Sequence, residues 1–178
     1  DGYDFEISEY VAPETLIDFN TVAITPSTSG NTLGVVDMNG DYLDDIISIS
    51  SDNVNILEQT ETDVFNERNI TTSNAQYLAS WSFAVADFDA NGYNDLLYGA
   101  GNGVTFMKAA DDGNSFTQIS GSEYVFSQRS NFVDINKDGH LDAFVCHDIA
   151  PNVYYMNDGS GNLTYNQGGL GDSANGGN

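Results

Sequence analysis

Asp87-Phe88-Asp89-Ala90-Asn91-Gly92-Tyr93-Asn94-Asp95, running directly into Leu96-Leu97-Tyr98, decides how this chain reads. Side-chain oxygens stand at positions 1, 3, 5 and 9 of the run, and a glycine at position 6 allows a sharp turn with positive φ. The same spacing appears in Asp37-Met38-Asn39-Gly40-Asp41-Tyr42-Leu43-Asp44-Asp45 and in Asp134-Ile135-Asn136-Lys137-Asp138-Gly139-His140-Leu141-Asp142. Asx-rich turns arise without any ligand. A threefold return of one spacing, however, points beyond turn chemistry.

Carboxylates crowded on a tight loop repel one another unless a cation neutralises them. Ca²⁺ accepts roughly six to eight oxygens in flexible geometry, and suits such loops better than Mg²⁺, which keeps a strict octahedron. The expected side-chain ligands are Asp37, Asn39, Asp41 and Asp45 in the first loop, Asp87, Asp89, Asn91 and Asp95 in the second, and Asp134, Asn136, Asp138 and Asp142 in the third. Position 7, occupied by Leu43, Tyr93 and His140, would add a backbone carbonyl, leaving its side chain free to vary. The first loop departs from the others, with Tyr42 at position 6 and its glycine at Gly40, and so matches the pattern least well. An EF-hand would require a glutamate at position 12, where Ser48, Tyr98 and Val145 stand, and helices on both sides. Apolar runs follow the loops instead, and these read as buried strands.

The three runs begin at residues 37, 87 and 134, so the pattern returns after 50 and then 47 residues, a period that calls for a repeat architecture. Each period holds the same order of short strands. The first is Leu33–Val36, Phe83–Ala86 or Asn131–Val133, and the second follows the loop. The third is Val54–Leu57, Val104–Met107 or Val153–Met156, and the fourth Phe65–Ile70, Phe116–Ile119 or Leu163–Tyr165. Asp111-Asp112-Gly113-Asn114 and Asn157-Asp158-Gly159-Ser160-Gly161-Asn162 carry hairpin residues between the last two. The fold class is therefore all-β: β-propeller blades of four antiparallel strands, about three of them across residues 30–167.

The loop D-x-[DN]-x-[DN]-G-x-x-D, the apolar strand after it and the hairpin Asn157–Asn162 resemble the FG-GAP/VCBS repeats, which build calcium-binding blades in β-propellers such as the integrin α-subunit head and in bacterial surface proteins. The resemblance implies calcium, up to three ions, at the loop positions named above. Propellers close with about four to eight blades. The chain is accordingly expected to be part of a larger propeller, with the remaining blades of the same protein as its neighbours. Residues 1–29, with Phe5-Glu6-Ile7 and Leu16–Phe19, read as strands ending a preceding blade, and 168–178 as a glycine-rich tail leading to the next.

Twenty-seven acidic residues face four basic ones, for a net charge of −23. That excludes nucleic acid, whose phosphates need a basic surface, and disfavours anionic membranes. No apolar run is long enough to insert in a bilayer. Loop calcium sites of extracellular modules bind at about 10⁻⁴ to 10⁻³ M and would stand empty in cytosol, so a secreted or cell-surface location is expected. Cys146, the single cysteine, lies in an apolar run and reads as a buried core thiol. Cys146-His147-Asp148 does not read as a nucleophile–base pair, because adjacent strand residues point to opposite faces. The expected role is therefore an adhesion or recognition scaffold for a protein or glycan, with Tyr77, Trp81, Tyr93 and Tyr124 as candidate contacts. The alternatives are part of a polysaccharide lyase and a structural spacer.

Overall fold

The apolar runs behind the three acidic loops become the most buried strands of three sheets. The computed structural model describes residues 33–170, together with 21 and 23. The strands expected at 5–7 and 16–19, and residues 171–178, lie outside the described residues. Twelve strands are present among the described residues: β1 (Leu33–Val36), β2 (Asp45–Ile49), β3 (Asn53–Glu61), β4 (Val64–Thr71), β5 (Ser82–Ala86), β6 (Asp95–Ala100), β7 (Gly103–Ala109), β8 (Phe116–Ile119), β9 (Ser127–Val133), β10 (Asp142–His147), β11 (Val153–Asn157) and β12 (Leu163–Gln167). They form three antiparallel sheets of four strands in sequential order, one per repeat, with no helix among the described residues. Three propeller-like blades result, as the repeat predicts. The third blade's first strand is longer than expected, because β9 begins at Ser127.

The second and third strands of the middle blade are near-continuous apolar runs because a neighbouring blade covers each of its faces. The middle blade shows the period of two directly. Leu96, Tyr98 and Met107 pack against Ile47, Ile49, Val54 and Ile56 of the first blade. Leu97, Val104 and Phe106 face Ala143, Val145 and Val153 of the third. Side chains alternate along a strand, so one hydrophobic run fills two cores. The fourth strands alternate half-buried and exposed residues, most regularly in β8. First strands lie side by side, β1 with β5 and β5 with β9. There Ser82 Oγ meets Ser127 Oγ at 2.6 Å and accepts Ser130 Oγ–H at 2.9 Å. Every acidic loop joins a first strand to a second, so all three open at the same end of their blades.

Candidate functional site

The three loops share one hydrogen-bond scheme, written by side-chain oxygens onto backbone N–H groups. The position-1 carboxylate caps the turn. Asp37 Oδ2 accepts Tyr42 N–H at 2.9 Å, Asp87 Oδ2 accepts Gly92 N–H at 2.8 Å, and Asp134 Oδ2 accepts Gly139 N–H at 3.0 Å. Position 5 accepts the N–H of position 7: Asp41 from Leu43, Asn91 from Tyr93, and Asp138 from His140, at 2.8 to 2.9 Å. Asx side chains bonding two residues onward explain why Asp and Asn alternate through the loop.

The position-9 aspartates do something else. Asp45, Asp95 and Asp142 are fully buried. One oxygen of each accepts a loop N–H, from Met38, Phe88 and Ile135 respectively, at 2.8 to 2.9 Å. The other accepts an N–H from the third strand, Gln59 at 2.9 Å, Ala109 at 2.7 Å and Asn157 at 2.8 Å. Each of these carboxylates ties its loop to the far side of its blade, a structural role that the spacing alone does not reveal.

The first loop, the weakest match in sequence, keeps the backbone of the other two. Positions 4 and 6 have positive φ in all three: Gly40 and Tyr42 at 80° and 69°, Ala90 and Gly92 at 57° and 93°, Lys137 and Gly139 at 64° and 92°. The first loop has exchanged which of the two positions carries glycine. Tyr42 tolerates the strained conformation with its side chain almost wholly in solvent, at 95% exposure.

The acidic side chains differ more. Carboxylate oxygens of Asp87, Asp89 and Asp95 lie within 4.8 Å of one another, and among the described residues only this set of three or more potential ligand residues converges so closely. In the outer loops position 3 is an asparagine and turns the position-5 acid toward itself. Asn39 Nδ2 donates to Asp41 Oδ2 at 3.1 Å, and Asn136 Nδ2 to Asp138 Oδ2 at 2.7 Å. The second loop reverses that order and brings its acids together.

Burial, with the charges of Asp89 and Asp87 adding, pushes the Asp95 carboxyl up to about 7 against the pull of the Ala109 and Phe88 N–H bonds. Asp45 is likewise raised, by burial first. Asp37 shows the opposite balance: desolvation opposes ionisation, but N–H bonds from Tyr42, Gly40, Asn39 and Asp41 together hold it below the usual range. The second loop also carries its own cation, since Lys108 Nζ of β7 forms an ion pair with Asp89 Oδ2. One residue before the N–H that anchors position 9, the blades hold Glu58, Lys108 and Met156 in turn.

Position 7 is less free than its spacing suggests. An added Cβ at Gly113 would lie 2.6 Å from the Tyr93 ring, and one at Gly159 would lie 2.5 Å from the His140 ring. These side chains therefore rest on hairpin glycines of their own blades. Neighbouring blades lock at this same end. Asn94 Nδ2 donates to Asp37 O at 2.7 Å, and Asn157 Nδ2 reaches both Phe88 O and Leu141 O.

Of the aromatic candidates, Trp81 and Tyr124 are exposed, whereas Tyr77 and Tyr93 are half-buried. Trp81 lies on Phe126 with centroids 4.6 Å apart. Cys146 is half-buried rather than buried, because it shares a face of β10 with the half-buried Phe144, while Ala143 and Val145 point into the core on the other face. The buried His147 ring packs against Tyr124, and its nitrogens meet backbone N–H groups of Phe126 and Ile149 at 3.5 and 3.4 Å.

The FG-GAP-like repeat matches this chain twice, over residues 37–98 and 87–145, each match starting at the first aspartate of a loop. No curated protein sequence matches it. Among solved structures, a lectin of Agrocybe aegerita, reported to recognise non-reducing terminal N-acetylglucosamine specifically, aligns with 76% of this chain at 20% identity and a TM-score of 0.53. The match spans 37% of the lectin chain, and at that identity it speaks for the fold.

Proposed function

The chain belongs to the FG-GAP-like repeat family, and on that footing we propose that it is a calcium-stabilised recognition module working outside the cell. Its blades present a surface to a protein or glycan, and its own residues carry out no catalysis. The observation that carries the calcium reading is the convergence of Asp87, Asp89 and Asp95 within 4.8 Å. One of these three is a buried carboxyl whose ionisation is opposed by burial and by the other two. A divalent cation would supply the charge that keeps Asp95 ionised. Asp87, Asp89, Asn91 and Asp95 would hold it, all oxygen donors as Ca²⁺ requires. The outer loops share the backbone and would bind after Asp41 and Asp138 turn away from their asparagines.

The recognition reading draws on a rigid scaffold with exposed aromatics at loop positions. Leu78, Trp81, Tyr124 and Ile149 are exposed near the ends of blades two and three. The N-acetylglucosamine specificity of the similar lectin makes a glycan the first partner to try. Calcium titration of chelator-stripped protein by calorimetry tests the calcium reading. Saturable calcium heat that exceeds the magnesium heat, and that falls by one site in Asp89→Asn, is expected. Absence of saturable heat would overturn it.

A further inference from the structure

Away from the acidic loops, β7 and β8 of the second blade and β11 and β12 of the third enclose a cleft of about 190 Å³. We propose that this cleft binds an organic ammonium group, such as a quaternary headgroup or an alkylated amine presented by a partner.

Its wall chemistry selects that class. Phe106, Tyr155 and Tyr165 supply three rings, Ile119 and Leu163 supply aliphatic surface, and Glu123 carries the one charge among the lining residues. Tyr155 is the hub, packed edge-to-face against Phe106 at 5.0 Å and against Tyr165 at 5.6 Å. Rings attract a cation through their negative faces, most strongly where water is excluded, and a carboxylate adds direct attraction. Burial raises both the Tyr155 and Tyr165 phenols, with the Glu123 carboxylate adding in each case, so both hydroxyls stay protonated beside it in the same lining. An anionic ligand would meet the Glu123 carboxylate with no cationic side chain in the lining to offset it. A neutral sugar would find one carboxylate, the Ser120 hydroxyl and two phenols for a whole ring of hydroxyls, within a mostly apolar lining.

The cleft is built in advance of any ligand. Gly121 O accepts the Tyr77 hydroxyl at 3.4 Å and Gln76 Nε2 at 3.3 Å, while Gln76 N–H donates to Gln118 Oε1 at 2.9 Å. Ser120 Oγ bonds Thr105 Oγ1 at 3.4 Å. The segment carrying Glu123 is thereby fastened to the link between blades one and two, which lowers the ordering cost of binding. Pockets for whole drug-sized ligands run from about 300 Å³ upward, so a cleft this small takes a headgroup and leaves the rest of the partner outside. A chain of net charge −23 also concentrates cations near its surface.

This inference does not depend on calcium in the loops, and the test keeps the two apart. Choline, its neutral carbon isostere and N-acetylglucosamine are titrated into the full chain by calorimetry at ~0.15 M salt, which screens diffuse attraction. Each titration is run in calcium and again in chelator. Choline is expected to bind saturably in both, with the isostere and the sugar weaker by about tenfold or more. Glu123→Gln and Tyr165→Leu should each weaken choline about tenfold with little change in melting temperature. Equal binding of the neutral isostere, preference for the sugar, an unchanged Kd in Glu123→Gln, or no saturable choline binding would each overturn the proposal.

Discussion

Asp95 Oδ1 accepts the Ala109 N–H at 2.7 Å, fourteen residues along the chain, while its other oxygen accepts Phe88 N–H at 2.9 Å. One buried side chain thus joins a loop to the third strand of its blade, and Asp45 and Asp142 repeat the arrangement. Position 9 therefore has a task in the fold whether or not a cation is bound. Asp142→Ala leaves the Ile135 and Asn157 N–H groups without their acceptor, and is expected to cost about 3 kcal/mol. Urea denaturation in chelator measures it. Asp142→Asn keeps one acceptor oxygen and should lose less.

Tyr42 occupies a left-handed position that Gly92 and Gly139 fill in the other loops. Tyr42→Gly relieves about 1–2 kcal/mol of backbone strain. It gives back about 0.4–1 kcal/mol through a freer unfolded chain. The exposed ring contributes no packing that would be lost. A net gain of about 0.5–1 kcal/mol is expected from the same urea experiment, and Gly139→Tyr should lose a comparable amount.

Lys108 competes with any cation for Asp89. The lysine end of the pair is 32% exposed and the aspartate end only 4%, so the lysine can leave for solvent while Asp89 stays in the loop. Lys108→Met gives the second blade the residue that the third carries, and should tighten calcium binding at the second loop about three- to tenfold. Calcium calorimetry of the variant beside the parent reads this directly.

How much of this was legible in the sequence depends on how local each interaction is. The strand order and loop positions were legible because Asp37, Asn39 and Asp41 bond N–H groups two to five residues away. The middle blade's Leu96-Leu97-Tyr98 read as buried because an unbroken apolar run needs cover on both faces. Lys108 was not legible, since it meets Asp89 only after β7 folds beside the loop. The rings of Tyr93 and His140 rest on glycines about twenty residues onward, Gly113 and Gly159, and no local pattern announces that contact. The cleft around Tyr155 and Glu123 draws on two blades and has no motif at all. The equivalence of Tyr42 to Gly92 was hidden because residue type at a left-handed position is a preference, not a rule.

His147 gives the chain a pH response separate from its acids. Burial holds its imidazole below the usual histidine value, against the pull of Tyr124 and Asp148. The folded state therefore binds fewer protons than the unfolded one just below about pH 6.5. Its contribution is fully present above that pH and is lost as pH falls through the depressed folded value. Denaturation midpoints followed downward from neutral pH should decline less steeply in His147→Gln than in the parent.

Thermal melting of one preparation, first in chelator, then with calcium restored and finally with magnesium instead, tests most directly the proposal that calcium stabilises the propeller. Each occupied loop adds RT ln(1 + [Ca]/Kd), about 1.4 kcal/mol at about tenfold excess over Kd. Calcium is expected to raise the melting temperature by several degrees over chelator, and magnesium to leave it near the chelator value. Identical melts in all three would contradict it, leaving the loops as turns held by their own Asp and Asn side chains.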